Sequence, residues 1–212
     1  METVDREGLL AWLRELHRVY AENREALTEL DAAIGDADHG INMDRGFAAV
    51  VEAIEKSPPA DMAAVLRTAA MALIKTVGGA SGPLYGTFFL RAAGACAGKT
   101  QLAANDVAAL FDAGTRGVVD RGKARAGDKT MVDVLLPAVA AMQRAAAGNG
   151  DMRAVLSAGA AAAEEGMRST VDMLARKGRA SYLGERSIGH QDPGATSAFL
   201  MIRAAADTWN RE

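Results

Sequence analysis

Hydrophobic residues recur along this chain at intervals of three and four, and no stretch alternates for the length of a strand. From Glu7 to Leu30, residues Leu9, Leu13, Leu16, Tyr20 and Leu27 fall on one helical face. A second helix is predicted from Ile41 to Glu55, stopping at Lys56-Ser57-Pro58-Pro59. Asp61 can N-cap a third, through Ala63, Leu66, Ala70 and Leu73 to Val77, which Gly78-Gly79 breaks. A fourth covers Pro83 to Ala97, with proline suited to the first turn. The fifth runs from Ala104 to Val119 with Asn105 as its cap. The sixth opens after Asp128, carries Val132, Leu135, Val139 and Met142 on one side, and closes at Gly148-Asn149-Gly150. A seventh extends from Asp151 to Leu174, and the last from Ala195 to Trp209. The pattern predicts an all-α fold, an eight-helix antiparallel up-down barrel or bundle occupying residues 1–212 as a single domain.

The loops between these helices are unequal. Lys56–Ala60 and Gly148–Gly150 read as plain connectors, whereas Gly35–Gly40, Gly78–Gly82, Gly122–Thr130 and Gly178–Gly194 mix glycine with polar residues. Neighbours in an up-down bundle run antiparallel, so the loops after the first, third, fifth and seventh helices lie at one end. Those are the four glycine-rich loops, and they predict one composite site.

Composition narrows the possibilities. Half of the residues are hydrophobic but only 5% are aromatic, so alanine, leucine, valine, isoleucine and methionine must build the core. A net charge of −3 and no basic run argue against nucleic-acid binding. Cys96 is the only cysteine, which excludes an internal disulfide and reads as a small buried thiol. The acidic, polar N-terminus and the lack of a long apolar run predict a soluble cytoplasmic protein with no secretory signal and no membrane span.

The densest chemistry lies in Asp31-Ala-Ala-Ile-Gly-Asp36-Ala-Asp38-His39-Gly40. Three carboxylates within eight residues repel one another unless a cation or a fold-specific contact offsets them. Hard oxygen donors on a turn suit Mg²⁺, although a helix end followed by an Asx-turn would use the same residues. A calcium loop read from Asp36 needs Gly and Glu where the chain has Ile41 and Phe47, so that reading fails. His39 and Asn42 follow directly and can contact phosphate or order metal-bound water.

Gly78, Gly79, Ala80, Ser81 and Gly82 feed Pro83 and a helix, a turn whose N–H groups can cradle phosphate or simply cap the preceding helix. Gly98-Lys99-Thr100 is no phosphate loop, because the glycine required five residues earlier is Ala93. Lys99 is therefore an ordinary helix end. Thr130 and Met131 can line a slot for a flat base. The seventeen residues Gly178–Gly194 are long for a loop without secondary structure and read as a lid. Within it Arg179 can neutralise a diphosphate, Arg186 reads as solvated, and His190 is open. His17 reads as structural.

Taken in order, these pieces resemble the ADP-binding L subunit of dihydroxyacetone kinase, a family that also forms the C-terminal domain of single-chain ATP-dependent dihydroxyacetone kinases. The matching stretches are D-A-A-I-G-D-A-D-H-G-I-N-M, G-G-A-S-G-P-L-Y-G-T, R-G-K-A-R-A-G-D-K-T-M and G-R-A-S-Y-L-G-E-R-S-I-G-H-Q-D-P-G-A, spanning Asp31 to Ala195. The chain lacks the substrate domain of the fused kinases and so resembles the free-standing subunit.

The resemblance implies an eight-helix barrel capped by ADP or ATP, with two Mg²⁺ ions held by Asp31, Asp36 and Asp38. It implies nucleotide contacts from His39, Gly40, Ile41, Asn42, Ala80, Ser81, Gly122, Met131, Arg179, Asp192, Pro193 and Gly194. It further implies that a phosphohistidine-carrying M subunit rephosphorylates ADP in place, and that the γ-phosphoryl passes to dihydroxyacetone held on a K subunit. Catalysis would be charge neutralisation by the carboxylate-bound metals and Arg179, with no covalent nucleophile on this chain. An ATP-exchanging kinase subunit for a related keto-sugar and a non-catalytic nucleotide-binding regulatory module are the alternatives. A homodimer is left open.

Overall fold

The computed structural model describes residues 2–210. Among these are nine α-helices: α1 (Arg6–Glu22), α2 (Arg24–Ile34), α3 (His39–Lys56), α4 (Met62–Thr76), α5 (Ser81–Ala95), α6 (Ala104–Gly122), α7 (Val132–Ala147), α8 (Met152–Ser169) and α9 (Pro193–Trp209). Two 3₁₀ segments, Thr170–Asp172 and Arg179–Ser187, lie between α8 and α9. The only β pairing among the described residues is one isolated bridge, Val4 with Leu102.

The expected first helix is two helices. Asn23 leaves helical geometry (φ −99°, ψ 9°) and its side-chain amide donates to the Val19 carbonyl at 2.8 Å, competing with the regular ladder. Tyr20 and Leu27 stand seven positions apart, two helical turns, so the apolar register carries across this break. The expected seventh helix ends at Ser169 instead of Leu174, tightening into 3₁₀ geometry. Two caps also differ. Ala103, not Asn105, occupies the N-cap of α6, its N–H received by the Asp106 carboxylate at 3.0 Å. Asp128 closes a turn onto the Arg125 N–H at 2.8 Å, and α7 begins at Val132.

From α3 to α9 each helix packs on its neighbour in sequence, while α1 packs on both α3 and α9 and so closes the ring. Most of the few aromatic residues gather inside it, Tyr182 staying exposed. Trp12, Phe88, Phe89, Phe111 and Trp209 meet in tilted and edge-to-face contacts with ring centroids 5.0 to 6.4 Å apart, and Phe47 links Phe89 to Tyr20. Each such ring contributes about 1.5–3 kcal/mol by burial, with about 0.5–1.5 kcal/mol more per well-placed pair. Both indole N–H groups are satisfied, Trp12 by the Met201 carbonyl at 3.3 Å and Trp209 by that of Gly8 at 2.9 Å. Cys96 is buried and its thiol is pushed up to about 11 by desolvation, in keeping with an inert packing residue. Among the described residues no helix is long and apolar enough to cross a membrane.

Candidate functional site

Asp31 sits in the last turn of α2, and its buried carboxylate turns back to receive the N–H groups of Asp38 (2.9 Å) and His39 (3.1 Å). That contact folds the chain sharply between α2 and α3. Gly35 is required there, because a Cβ would lie 2.0 Å from Asp31 Oδ1. Ala37 adopts φ +60°, a conformation that costs a non-glycine residue about 1–2 kcal/mol. The turn brings one oxygen each of Asp31, Asp36 and Asp38 within 4.8 Å of one another, the first buried and the other two exposed. Hard oxygens with an open side fit Mg²⁺, which keeps water and phosphate oxygens in its remaining positions. Arg179 reaches across from the α8–α9 connection to pair with Asp36 at 2.9 Å.

The four glycine-rich loops do converge. They line a cavity of about 480 Å³, within the range of small-molecule sites. The first residues of α3, α5, α7 and α9 (His39, Ser81, Val132 and Pro193) all border it. Four helix N-termini therefore meet at one cavity, and each adds partial positive charge that favours an anion. Helix α5 has no side-chain cap, and Gly79 before it takes φ +61°. Leu84, Val118, Ala124, Met131 and Val132 give one wall an apolar character.

Beneath the carboxylates, His39 stands in a chain of hydroxyl groups. Its Nε2 lies 2.9 Å from Ser197 Oγ and its Nδ1 3.3 Å from Ser81 Oγ. Ser197 Oγ also lies 2.7 Å from the Tyr85 hydroxyl and 3.0 Å from the Gly194 carbonyl, so a single serine proton serves three neighbours. Burial pushes the His39 pKa down, against the opposing pull of Asp31 and Asp38, so the ring is neutral at pH 7. Asp192 caps α9 by accepting the Ala195 N–H at 2.7 Å, and burial pushes its pKa up to about 7. Asp133 holds the α6–α7 loop by receiving the N–H groups of Gly127 (2.5 Å) and Thr130 (2.8 Å).

Of the residues singled out from sequence, Asp31, Asp36, Asp38, His39, Asn42, Gly79, Ala80, Ser81, Gly122, Thr130, Met131, Arg179, Asp192, Pro193 and Gly194 border the cavity. Gly40, Ile41 and Gly82 do not. Gly40 lies against the Arg24 carbonyl and Gly82 against that of Val77, where a Cβ would come within 2.0 and 2.3 Å, so both are glycine for close packing. Ile41 points outward and is exposed. The long connection is not structureless, since Arg179–Ser187 forms a 3₁₀ segment with a kink at Gly184. His190 and Arg186 are exposed and stand off the cavity.

Sequence reasoning missed Tyr85, Lys129, Arg121 and Lys177, which also line it. The first two read as an apolar helix position and a loop charge, and only the fold turns them inward.

The DAK2 domain family matches residues 33–207 of this chain. The PEP-dependent dihydroxyacetone kinase, ADP-binding subunit, of Escherichia coli (strain K12) is 46% identical over 204 residues, covering 96% of this chain and 97% of its own. The PTS-dependent dihydroxyacetone kinase, ADP-binding subunit, of Lactococcus lactis is 41% identical over 201 residues, covering 94% and 95%. The crystal structure of the dihydroxyacetone kinase from C. freundii in complex with AMP-PNP and Mg²⁺ superposes with a TM-score of 0.70 over 95% of this chain, at 23% identity. This chain spans 33% of that kinase, so the likeness there is one of fold.

Proposed function

The chain belongs to the DAK2 domain family, and from that premise we propose that it is the ADP-binding subunit of a PEP-dependent, phosphotransferase-system-linked dihydroxyacetone kinase. It binds ADP or ATP with Mg²⁺ as one nucleotide-binding domain over residues 1–212. The γ-phosphoryl passes to dihydroxyacetone held on a K subunit, and a phosphohistidine M subunit regenerates ATP in place. Its setting is cytoplasmic.

The observation that carries this reading is the meeting of a three-carboxylate turn with four helix N-termini around one cavity. Carboxylates alone would suit any divalent cation, and helix N-termini alone any anion. Together they suit a polyphosphate carried with its metal. Asp31, Asp36 and Asp38 would hold two Mg²⁺ ions, and Mg²⁺ bound there neutralises charge on phosphate oxygens.

The chain's own groups do the rest. Ser81 and the uncapped first turn of α5 offer donors to phosphate, and Ala80 and Gly79 allow close approach. Arg179, now on Asp36, borders the same cavity and would supply positive charge to the phosphates. Neutral His39 brings no second cation to the site. Met131, Gly122 and Leu84 line the wall for the base, and Asp192, Pro193 and Gly194 close the far side. No side chain here attacks phosphorus, so catalysis is positioning and charge neutralisation.

Acid extraction of the purified protein followed by chromatography tests the reading. Adenine nucleotide in the extract and a rise in melting temperature on adding Mg·ADP are expected. No nucleotide and no rise would overturn it. Mixing the chain with a K-type subunit, dihydroxyacetone and a phosphate source distinguishes a catalytic subunit from a passive nucleotide sensor.

A further inference from the structure

Lys129 is the one charged residue among the largest fully buried side chains, with 1% of its surface exposed. Its backbone sits at φ +61°, in the left-handed region, which turns the side chain inward at a steric cost. The ammonium donates to the carbonyls of His190 (2.5 Å), Thr170 (2.6 Å) and Met173 (3.2 Å), with the Val171 carbonyl at 3.5 Å, so its three protons are shared among four carbonyl oxygens. No carboxylate among the described residues comes within 4.0 Å of it. This is the environment of a desolvated cation in a cage of carbonyl oxygens.

The cage has a particular place in the chain. Residues 170–173 and 189–192 are the two ends of the α8–α9 connection, and they lie side by side. Gly189 N–H donates to the Val171 carbonyl at 2.8 Å, and Asp192 N–H to Thr170 Oγ1 at 3.1 Å. The segment between them is an Ω-type loop whose ends are pinned together, and it carries Arg179. Lys129 joins both ends of that neck to the α6–α7 loop, helped by Arg176 N–H on the Asp128 carbonyl at 3.0 Å.

We propose that Lys129 is the positioning residue of the Arg179 loop, its ammonium acting as a built-in cation that ties the neck and so holds Arg179 at the nucleotide cavity. Without that charge, four carbonyl oxygens face one another with nothing between them, and the neck opens. The consequence for nucleotide rests on the function proposed above; the tie itself does not.

Two measurements on the full chain test it. Hydrogen exchange read by mass spectrometry on the nucleotide-free protein reports the tie. In Lys129→Met, peptides within 174–188 should exchange at least tenfold faster while α4 and α5 are unchanged. Lys129→Gly suits the left-handed backbone and leaves the cage empty; n-butylammonium should restore its protection and n-butanol should not.

Unchanged exchange in 174–188, equal acceleration throughout the chain, equal rescue by butanol, or failure of both variants to fold would each overturn the proposal. Calorimetry with Mg·ADP reports the consequence. Lys129→Met and Arg179→Ala should each weaken binding at least tenfold, and the double variant should be no weaker than Arg179→Ala alone. Additive losses would show that Lys129 does not act through Arg179. If the wild-type chain binds no Mg·ADP, the nucleotide reading fails, while the exchange experiment still decides the tie.

Discussion

The two ends of the helix ring are stabilised by different physics. Toward the end where α1 begins and α9 finishes, Trp12, Phe111 and Trp209 pack as an apolar cluster whose strength is area removed from water. At the other end Asp31, His39, Lys129, Asp133, Thr170, Asp192 and Ser197 are all buried, and each is held by directed hydrogen bonds. Area is forgiving, because a lost ring leaves a cavity and a graded penalty. A buried charge or hydroxyl is not, because removing one partner strands the other. The apolar end should therefore set how stable the protein is, and the polar end what it can hold.

Substitutions that separate the two roles should follow that division. The largest effect expected is on phosphoryl transfer. Asp36→Asn or Asp38→Asn should lower the rate at least a thousandfold in an assay with the K-type subunit, with an unchanged far-ultraviolet dichroism spectrum. The metal-free Asp38→Asn variant should be as stable as the wild type or slightly more so, since a like-charge repulsion is relieved, whereas Asp36→Asn also gives up its ion pair with Arg179. A variant with wild-type rate would remove Asp36 or Asp38 from the metal site.

At the other end, Trp12→Ala should cost about 3–5 kcal/mol of stability. At about 2–4 °C per kcal/mol for a chain of this size, the melting temperature falls by roughly 10 °C. Mg·ADP affinity of the folded variant should stay within about twofold, and a larger loss would mean that the ends are coupled.

Smaller effects belong to the long connection. Arg179→Ala should weaken ADP retention, because the cation facing Asp36 and the cavity is lost. In the wild type, withdrawal of nucleotide and Mg²⁺ should make residues 178–194 the first site of limited proteolysis. Cleavage at equal rates with and without Mg·ADP would show that this segment is no lid.

Asp192 predicts a pH effect of definite sign. Its folded pKa of about 7 lies above the ordinary carboxylate value, so between about pH 4 and 7 the folded state holds a proton that the unfolded state has lost. This group therefore lowers the stability of the nucleotide-free protein as pH rises through that window, and adds no further slope above it. His39, with its lowered pKa, contributes the opposite slope below about pH 6.5, stability being lost as pH falls. Asp192→Asn should isolate the first contribution: urea unfolding should show the variant gaining on the wild type from pH 4 to pH 7, and a constant difference would refute it. The smallest effect expected is for Arg186→Ala. This exposed residue stands off the cavity, so ADP retention should not change, and any loss should appear only in transfer to the partner.

Much of this division is legible in the sequence. The three-and-four spacing of apolar residues carries the helices, because a helix that must bury one face has to repeat at its own turn. The break at Asn23 was not legible from periodicity, since the register of apolar residues passes across it and only the amide on Val19 reveals the competition. Among the site residues, the acidic turn and the glycine-rich turn announce themselves, being local clusters that have a cost without a use. Gly40 and Gly82 look the same in sequence as Gly35 and Gly79, yet they serve helix packing, and a string of letters does not say what lies opposite a missing Cβ.

What the sequence determined by itself was the set of amphipathic helices, the parity that sends four glycine-rich loops to one end, and the carboxylate turn. All three depend on residues near one another in the chain. What only the tertiary structure decided was which way the remaining polar residues face. Lys129 finds its four carbonyls 41 to 61 residues away, Ser197 meets His39 across 158 residues, and Tyr85 reaches Ser197 across 112. Such contacts form only after the ring has closed. A buried polar group must then take whatever partner the fold brings within hydrogen-bond reach, and no local pattern encodes that partner.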